Sequence, residues 1–486
     1  MPVNTPHIDY SRRKSDWAKI RTFVEGARAV RAAGESYLPM LKGWTKEQYD
    51  AYKARAEVYG AADRTIDGLD GAIFRKTPQI EVPEGQMAII EDITLSGQSI
   101  NEWLRGTVRE ILTVGRLGAL VDFSRAEQTN PDVVITGPNR PYVVSYTAEQ
   151  IINWESQVID GVTKLTLVVL EESVSTPSPS DPFVKVPALR YRVLRLVENR
   201  YVVEIWTAKS TPGLPGSTTP SKDVEYEKTA ELKPDRRGIP LDKIPFFFIS
   251  PSGQEVCPEK PPLLDIVDLC VLHYMTSADY SHGLHWVALP TPWATGVREK
   301  DKIAIGPSSA IILEDKDAKV GMLEFAGTGL SAIKDRLEGL ERKMAALGAR
   351  ILEDQKREAE SGEALKLRQG GDASVLAGIS DAVSRSAEAI VKRMLWWDGT
   401  EANEPDVTID LNMDFYGAAM DPQTLVALIQ ARQAGLISTD TFLWNLKRGE
   451  MMPEDVSIED ERAKIEADPP ELPAPAGAPA GGKGGK

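Results

Sequence analysis

The chain has 486 residues, and its 57 Lys+Arg against 72 Asp+Glu leave a net charge of −15, which argues against a general nucleic-acid coat held by cations on phosphates. That length suggests about three domains, and 42% hydrophobic residues supply a sizeable core. Two cysteines exclude a disulfide scaffold and fit a reducing compartment, Met1 to His7 lacks the apolar run of a secretory signal, and no window approaches the ~18 uninterrupted apolar residues of a membrane span.

The first 75 or so residues read as helical. Trp17, Ile20, Val24, Ala27 and Val30 recur at helical spacing. Thr45 and Gln48 form a capping-box pattern, and the helix behind it carries Tyr49, Tyr52, Ala56 and Tyr59 on one face. The pattern resumes through Ile66, Leu69 and Ile73 and stops before Pro78 and Pro83. A further helix, Ile100 to Val114, precedes the apolar, glycine-punctuated stretch Gly115 to Phe123, which reads as a buried strand. From there to about residue 250 the pattern is β. Leu165 to Leu170 is a strand run, and Leu189 to Trp206 reads as a hairpin turning at Glu198-Asn199-Arg200. Ser173 to Pro187 and Ser210 to Lys222, rich in Ser, Thr, Pro and Gly, read as exposed loops.

After Pro261-Pro262 the chain turns helical again, from about Leu264 to Trp286. A proline-bounded insert then holds the β-like runs Ile303-Ala304-Ile305 and Ala310-Ile311-Ile312-Leu313. Next comes a long helix, Leu330 to Asp354, whose apolar residues Leu330, Ile333, Leu337, Leu340, Met344, Leu347 and Ile351 alternate three and four apart. That stripe is the narrow seam of a coiled coil, and at ~1.5 Å per residue the helix spans ~37 Å. Such a rod wants a partner helix, from its own chain or a neighbouring copy. A helix from Asp372 to Trp397, a strand at Val407 to Phe415 and helices at 421–434 and 438–449 complete the ordered pattern. The end of the chain is Pro, Ala, Gly and Lys, a flexible tail.

Chemical signatures are sparse. Cys257, Cys270, His273, His282 and His285 share one window, but His273 and His282 lie ~180° apart on a helix and cannot converge on one metal within the chain. Gly477 to Gly484 misses a phosphate loop because Gly484 replaces the hydroxyl after Lys483. No Gly-x-Ser-x-Gly elbow occurs, and the carboxylates have no acid/base spacing. The sequence therefore reads as no enzyme, with no catalytic residue, cofactor or metal. Segment 354–371, mixed in charge and ending in Gly370-Gly371, reads either as a plain helix connection or as a loop whose cations touch phosphates without reading bases.

Several segments, taken in order, resemble tailed-bacteriophage portal proteins and, more closely, a portal-like phage family known as a domain of unknown function. They are Ala32-Ala33-Gly34-Glu35-Ser36-Tyr37-Leu38-Pro39, then Arg64-Thr65 with Gly68-Leu69, Gly71, Phe74-Arg75-Lys76 and Pro78. Gly115-Arg116, Gly118, Leu120-Val121-Asp122, Arg140-Pro141-Tyr142 and Ile151-Ile152-Asn153-Trp154 continue the series. It closes with Ser361-Gly362, Ala364-Leu365-Lys366, Ala434-Gly435-Leu436-Ile437-Ser438, Thr441 and the acidic run Glu459-Asp460-Glu461-Arg462.

The resemblance implies an α+β portal fold with a mixed α/β wing, a long-helix stem, a small clip and a short helical C-terminal part. It would divide the chain into a wing (1–255), a first stem helix (256–287), a clip (288–328) and a second stem helix (329–354). A channel loop (355–371), a wing return with C-terminal helices (372–450) and an acidic, then flexible tail (451–486) would follow. It implies a homo-oligomeric ring, usually of twelve, at one capsid vertex of a virion assembled in the bacterial host cytoplasm. Double-stranded DNA would pass through without sequence specificity. The terminase large subunit, head-completion, adaptor or tail proteins, and the major capsid and scaffold proteins would be partners, with no membrane. Lys356, Arg357, Lys366 and Arg368 become candidate DNA-facing residues, and Ile333, Leu337, Leu340, Met344 and Leu347 the candidate stem seam. Asp and Glu on the stem helices would form a repulsive wall that keeps the duplex moving. The alternative is another structural head or adaptor protein without a closed channel.

Overall fold

The computed structural model describes residues 2–123, 139–177, 181, 183–209, 224–289, 291–295, 317, 319–324, 327–348, 362–399, 406–413, 415, 422–434, 436–448, 451–452 and 456–467. Helices and strands occur in separate runs, the α+β arrangement expected. The chain divides into two compact units, residues 1–413 and 414–486.

The first unit opens with α1 (Ile8–Glu25), α2 (Ala27–Ala33), α3 (Lys46–Arg55) and α4 (Ala61–Ile73). The single helix expected through Val30 is broken at Gly26, whose φ of +98° has no place in a helix. The capping box at α3 forms as read: Gln48 N–H donates to Thr45 Oγ1, and Thr45 N–H to Gln48 Oε1. Then follow β1 (Gln79–Glu81), α5 (Met87–Glu91) and α6 (Ile100–Val114). Ser99 and Glu102 make a second capping box on α6, and Gly115 ends that helix in the left-handed region at φ +74°.

The strands are β2 (Leu117–Phe123), β3 (Pro141–Thr147), β4 (Ile151–Ile159), β5 (Val162–Pro177), β6 (Lys185–Val197), β7 (Arg200–Ala208), β8 (Tyr226–Leu232), β9 (Asp235–Arg236), β10 (Ile239–Pro240) and β11 (Phe246–Ile249). An antiparallel three-stranded sheet has the order β11-β2-β3, and a five-stranded meander runs β4 to β8. Strand β2 is buried along its whole length, as its apolar run predicts. The hairpin at 198–199 also forms, with both turn residues at positive φ, the geometry that matches strand twist.

The loop expected over Ser173 to Pro187 is instead mostly strand. Ser173 pairs with Leu189, Ser175 with Pro187 and Thr176 with Val186. Pro187 is tolerated because β7 accompanies β6 only over Arg190–Val197, so the far side of β6 is an open edge at the proline. The loop expected over Ser210 to Lys222 lies outside the described residues.

Between the two sheets lies a buried ionic network. Arg192 on β6 donates to Asp122 on β2 at 3.0 Å and to Glu172 on β5 at 2.9 Å. Arg190 and the Tyr146 hydroxyl also donate to Glu172, at 2.5 and 2.6 Å. Burial pushes the Asp122 carboxyl up, against the pull of Arg192. Burial pushes Glu172 up as well, but Arg192 and Arg190 outweigh it and hold Glu172 below the ordinary carboxylate value.

The remainder of this unit comprises α7 (Leu264–Ala288), β12 (Thr291–Thr295), β13 (Lys319–Leu323), α8 (Leu330–Gly348), α9 (Gly362–Asp398) and β14 (Thr408–Asp410). The helix expected to begin at Asp372 begins ten residues earlier, and the loop expected over 355–371 is helical from Gly362 onward. Residues 363–369, Glu-Ala-Leu-Lys-Leu-Arg-Gln, are strong helix formers, and they carry the helix through Gly370-Gly371 despite a cost of about 1 kcal/mol per glycine. Helix α9 buries Leu376, Val383, Ile390 and Leu395, and it lies against both α6 and the three-stranded sheet. The strand expected over 407–415 is shorter, and β14 pairs antiparallel with β1.

The second unit holds α10 (Pro422–Gln433), α11 (Thr439–Arg448) and α12 (Ile458–Ala467). The first two match the helices read there. The acidic run expected to lead into the tail is itself α12, with Ser457 accepting from Asp460 N–H at its start.

Candidate interaction site on the helical hairpin

Helices α7 and α8 pack side by side in antiparallel register. Cys270 lies against Met344 at 3.5 Å and His273 against Glu341 at 3.2 Å, and a Cβ at Gly283 would meet Leu330 at 2.7 Å. The same register continues into the ribbon, where Thr291 faces Leu323 and Thr295 faces Lys319. The two helices are thus followed, and preceded, by two paired strands within a few residues. At ~1.5 Å per helical and ~3.3 Å per strand residue, α7 runs ~37 Å and the ribbon adds ~17 Å. Gly283 lets the helices approach, and Gly327, at φ +61°, turns the chain back into α8. The runs 303–305 and 310–313 lie outside the described residues.

The inner part of the hairpin belongs to the core. Ile266, Val267, Cys270, Tyr274 and Ala278 of α7 pack in one cluster with Leu340 and Met344 of α8 and with Ile20, Phe23, Tyr49, Tyr52 and Ile66. Burial pushes the Cys270 thiol up to about 11, so it is an inert core residue. The outer part is exposed. Leu284 and Trp286 on α7, Leu289 just past its end, and Trp293, Val320, Met322 and Leu323 on the ribbon, all show large apolar surface. A cleft of about 490 Å³ opens between Gly283, Trp286, Val287, Leu330 and Ile333.

The candidate seam is therefore occupied by this same chain. Leu337, Leu340 and Met344 are buried, at 9, 6 and 1% exposure, and Ile333 is half-buried. Leu347, at 43% exposure, stands outside. Its place is taken by Gly348, which packs so closely on α4 that a Cβ would lie 2.5 Å from the Thr65 hydroxyl. The three-and-four alternation slips because a straight helix drifts against a strict heptad.

Of the candidate DNA-facing residues, Lys356 and Arg357 lie outside the described residues. Lys366 and Arg368 fall on the first turns of α9, not on a loop. Helices α7 and α8 do not make the uniformly acidic wall expected of them. Asp265 and Asp268 are paired with Lys260 and Lys19, at 2.7 and 2.8 Å. Helix α8 carries Lys334, Arg336, Arg342 and Lys343 against Asp335, Glu338 and Glu341.

The histidines of α7 separate as the helical wheel requires. Among the described residues no group of three His, Cys, Asp or Glu converges as a metal would need. His273 faces Glu341, while His282 sits among Trp44, Tyr52 and Trp286, with ring centroids 5.2, 5.4 and 6.0 Å away. Sequence reading missed this aromatic cluster. Trp44 and Tyr52 lie more than 200 residues from His282, and only the fold brings them together.

A family model described as a domain of unknown function (DUF4055) matches residues 262–398, which run from the start of α7 to the end of α9. No curated protein matches the chain. Among solved structures it is similar to a chain from "Virion of native gene transfer agent (GTA) particle". The identity there is 10%, with 84% of this chain and 93% of that chain covered and a TM-score of 0.36. It is also similar to a chain from "Neck of empty GTA particle computed with C6 symmetry", again at 10% identity. Coverage is then 90% of this chain and 97% of that one, at a TM-score of 0.36. Both likenesses are remote.

Proposed function

We propose that this chain is a subunit of a phage portal-type ring, a conduit for double-stranded DNA and not a catalyst. The observation that carries the reading is the α7–ribbon–α8 hairpin, rooted in the core at one end and exposing apolar surface at the other. A stem followed by a clip requires that form, and the segmentwise resemblance of the sequence to portal proteins supports it. Copies packed around an axis would cover Trp286, Trp293, Met322 and Leu323, which this chain leaves in water. Exposed apolar patches of this kind mark protein contacts. In the same reading the ring sits at a capsid vertex. There it receives the terminase during filling and adaptor or tail proteins afterwards, and the chain's overall charge of −15 disfavours tight DNA binding.

Native mass spectrometry with negative-stain imaging tests the reading. Twelve copies of 53.3 kDa give about 640 kDa with a central hole. A monomer throughout the micromolar range, or a closed particle without a hole, overturns it in favour of a head or adaptor protein lacking a channel. Replacing Lys356, Arg357, Lys366 and Arg368 together by Ala should leave ring mass unchanged and lower the DNA retained per particle. Unchanged retention removes these four residues from the reading.

A further inference from the structure

Two histidines on the outer half of α7 are held by partners that only donate. The Trp286 indole N–H donates to His282 Nε2 at 3.0 Å, and Arg55 Nη2 donates to His285 Nε2 at 3.2 Å. Neither indole nor guanidinium can accept. Both rings are therefore held with a bare Nε2, and a proton there would set N–H against N–H. His273 differs, because its partner Glu341 is a carboxylate that accepts from a neutral or a charged ring.

These two rings stand where α7 meets the layer built by α3 and the segment before it. The charged groups around His282 are Arg55 from α3, and Asp279 and His285 from α7 itself. Asp279 accepts from the Tyr52 hydroxyl at 2.5 Å, which ties the same two helices together. His282 Nδ1 is buried and has no hydrogen-bond partner among the described residues.

We propose that His282 forms a pH-sensitive latch, closed when its ring is neutral and backed by the Arg55–His285 contact, that holds the outer half of α7 against α3 and Trp44. Burial, then Arg55 and His285, keep His282 below its ordinary value of 6.5, with Asp279 pulling the other way. The sign follows. An opened latch puts the ring in water, where it takes a proton near pH 6.5. The closed state keeps its full stability above that pH and loses it as the pH falls toward the lower closed-state value. The inner hairpin, held by His273–Glu341 and the core, stays in place. The latch is independent of whether copies of the chain form a ring.

Hydrogen exchange read by mass spectrometry at pH 7.5 and 5.5, corrected for the intrinsic pH dependence of amide exchange, tests it on the whole protein. Segments 44–56 and 279–289 should lose at least about 3-fold in protection at pH 5.5, while 334–345 should not change. In His282→Gln/His285→Gln the glutamine carbonyl keeps an acceptor that does not titrate, and the loss should vanish. Arg55→Gln retains both rings but removes the opposing charge, so the loss should fall to less than about half. Equal protection of the wild type at both pH values, the same loss in the double glutamine variant, or an undiminished loss in Arg55→Gln overturns the latch.

Discussion

Arg192→Met is expected to lower the unfolding free energy by about 3–5 kcal/mol, the penalty for removing one partner from a buried ionic cluster. Arg192 and Asp122 are both almost wholly buried, and Arg192 bonds both Asp122 and Glu172. Its loss leaves Asp122 with the Tyr142 hydroxyl, 3.4 Å away, and its own neighbouring Phe123 N–H. Methionine fills comparable space, so the cost comes from Asp122 left without a cation in low dielectric, with Glu172 keeping Arg190, and not from a cavity. The defect should depend on pH with a definite sign. Without that guanidinium burial pushes the Asp122 carboxyl further above its unfolded value, while Arg190 still bonds Glu172. The variant then regains stability as the pH falls and Asp122 protonates. In the wild type, by contrast, Glu172 is depressed in the folded state and contributes stability that is lost as the pH falls. Urea denaturation at pH 7.5 and 5 measures both effects. A loss below about 1 kcal/mol, equal at the two pH values, would show that the network is not a determinant of stability.

How far the fold was legible depended on how local its causes are. The capping box at Thr45, the turn at Glu198-Asn199 and the buried strand after Gly115 are set by residues within a few positions of one another. These appear in the sequence directly. The pairing of Ser175 with Pro187 is set by a partner strand, and composition pointed to a loop. Arg190 and Arg192 alternate with Tyr191 and Val193, a pattern that ordinarily marks a solvated strand face, yet they are buried because a second sheet covers that face. The α8 stripe held at Leu337, Leu340 and Met344 and slipped at Leu347, and it did not name its partner. The His282 cluster had no local signal at all.

That stripe sets the second large effect. Leu340→Asp should cost at least about 4 kcal/mol, because it deletes a buried leucine and puts a carboxylate in its place. Leu340 packs with Met344, Cys270, Ile66 and Tyr52 inside one chain, so the damage falls on the subunit itself and not only on its assembly. The expected result is a chain with lowered Tm and protease sensitivity at any concentration. Leu347→Asp is the informative contrast. Leu347 lies on the same helix but is 43% exposed, and Gly348 fills the seam beside it. On the monomer this change should move stability by no more than about 0.5 kcal/mol. If neighbouring copies cover α8, Leu347→Asp should still reduce the fraction of assembled rings while the subunit melts as the wild type does. Normal assembly with normal melting would show that this flank of α8 faces solvent in the ring. A large fall in melting temperature from Leu347→Asp would instead mean that the seam runs through Leu347, as a strict heptad requires, and that the close contact of Gly348 with Thr65 does not replace it.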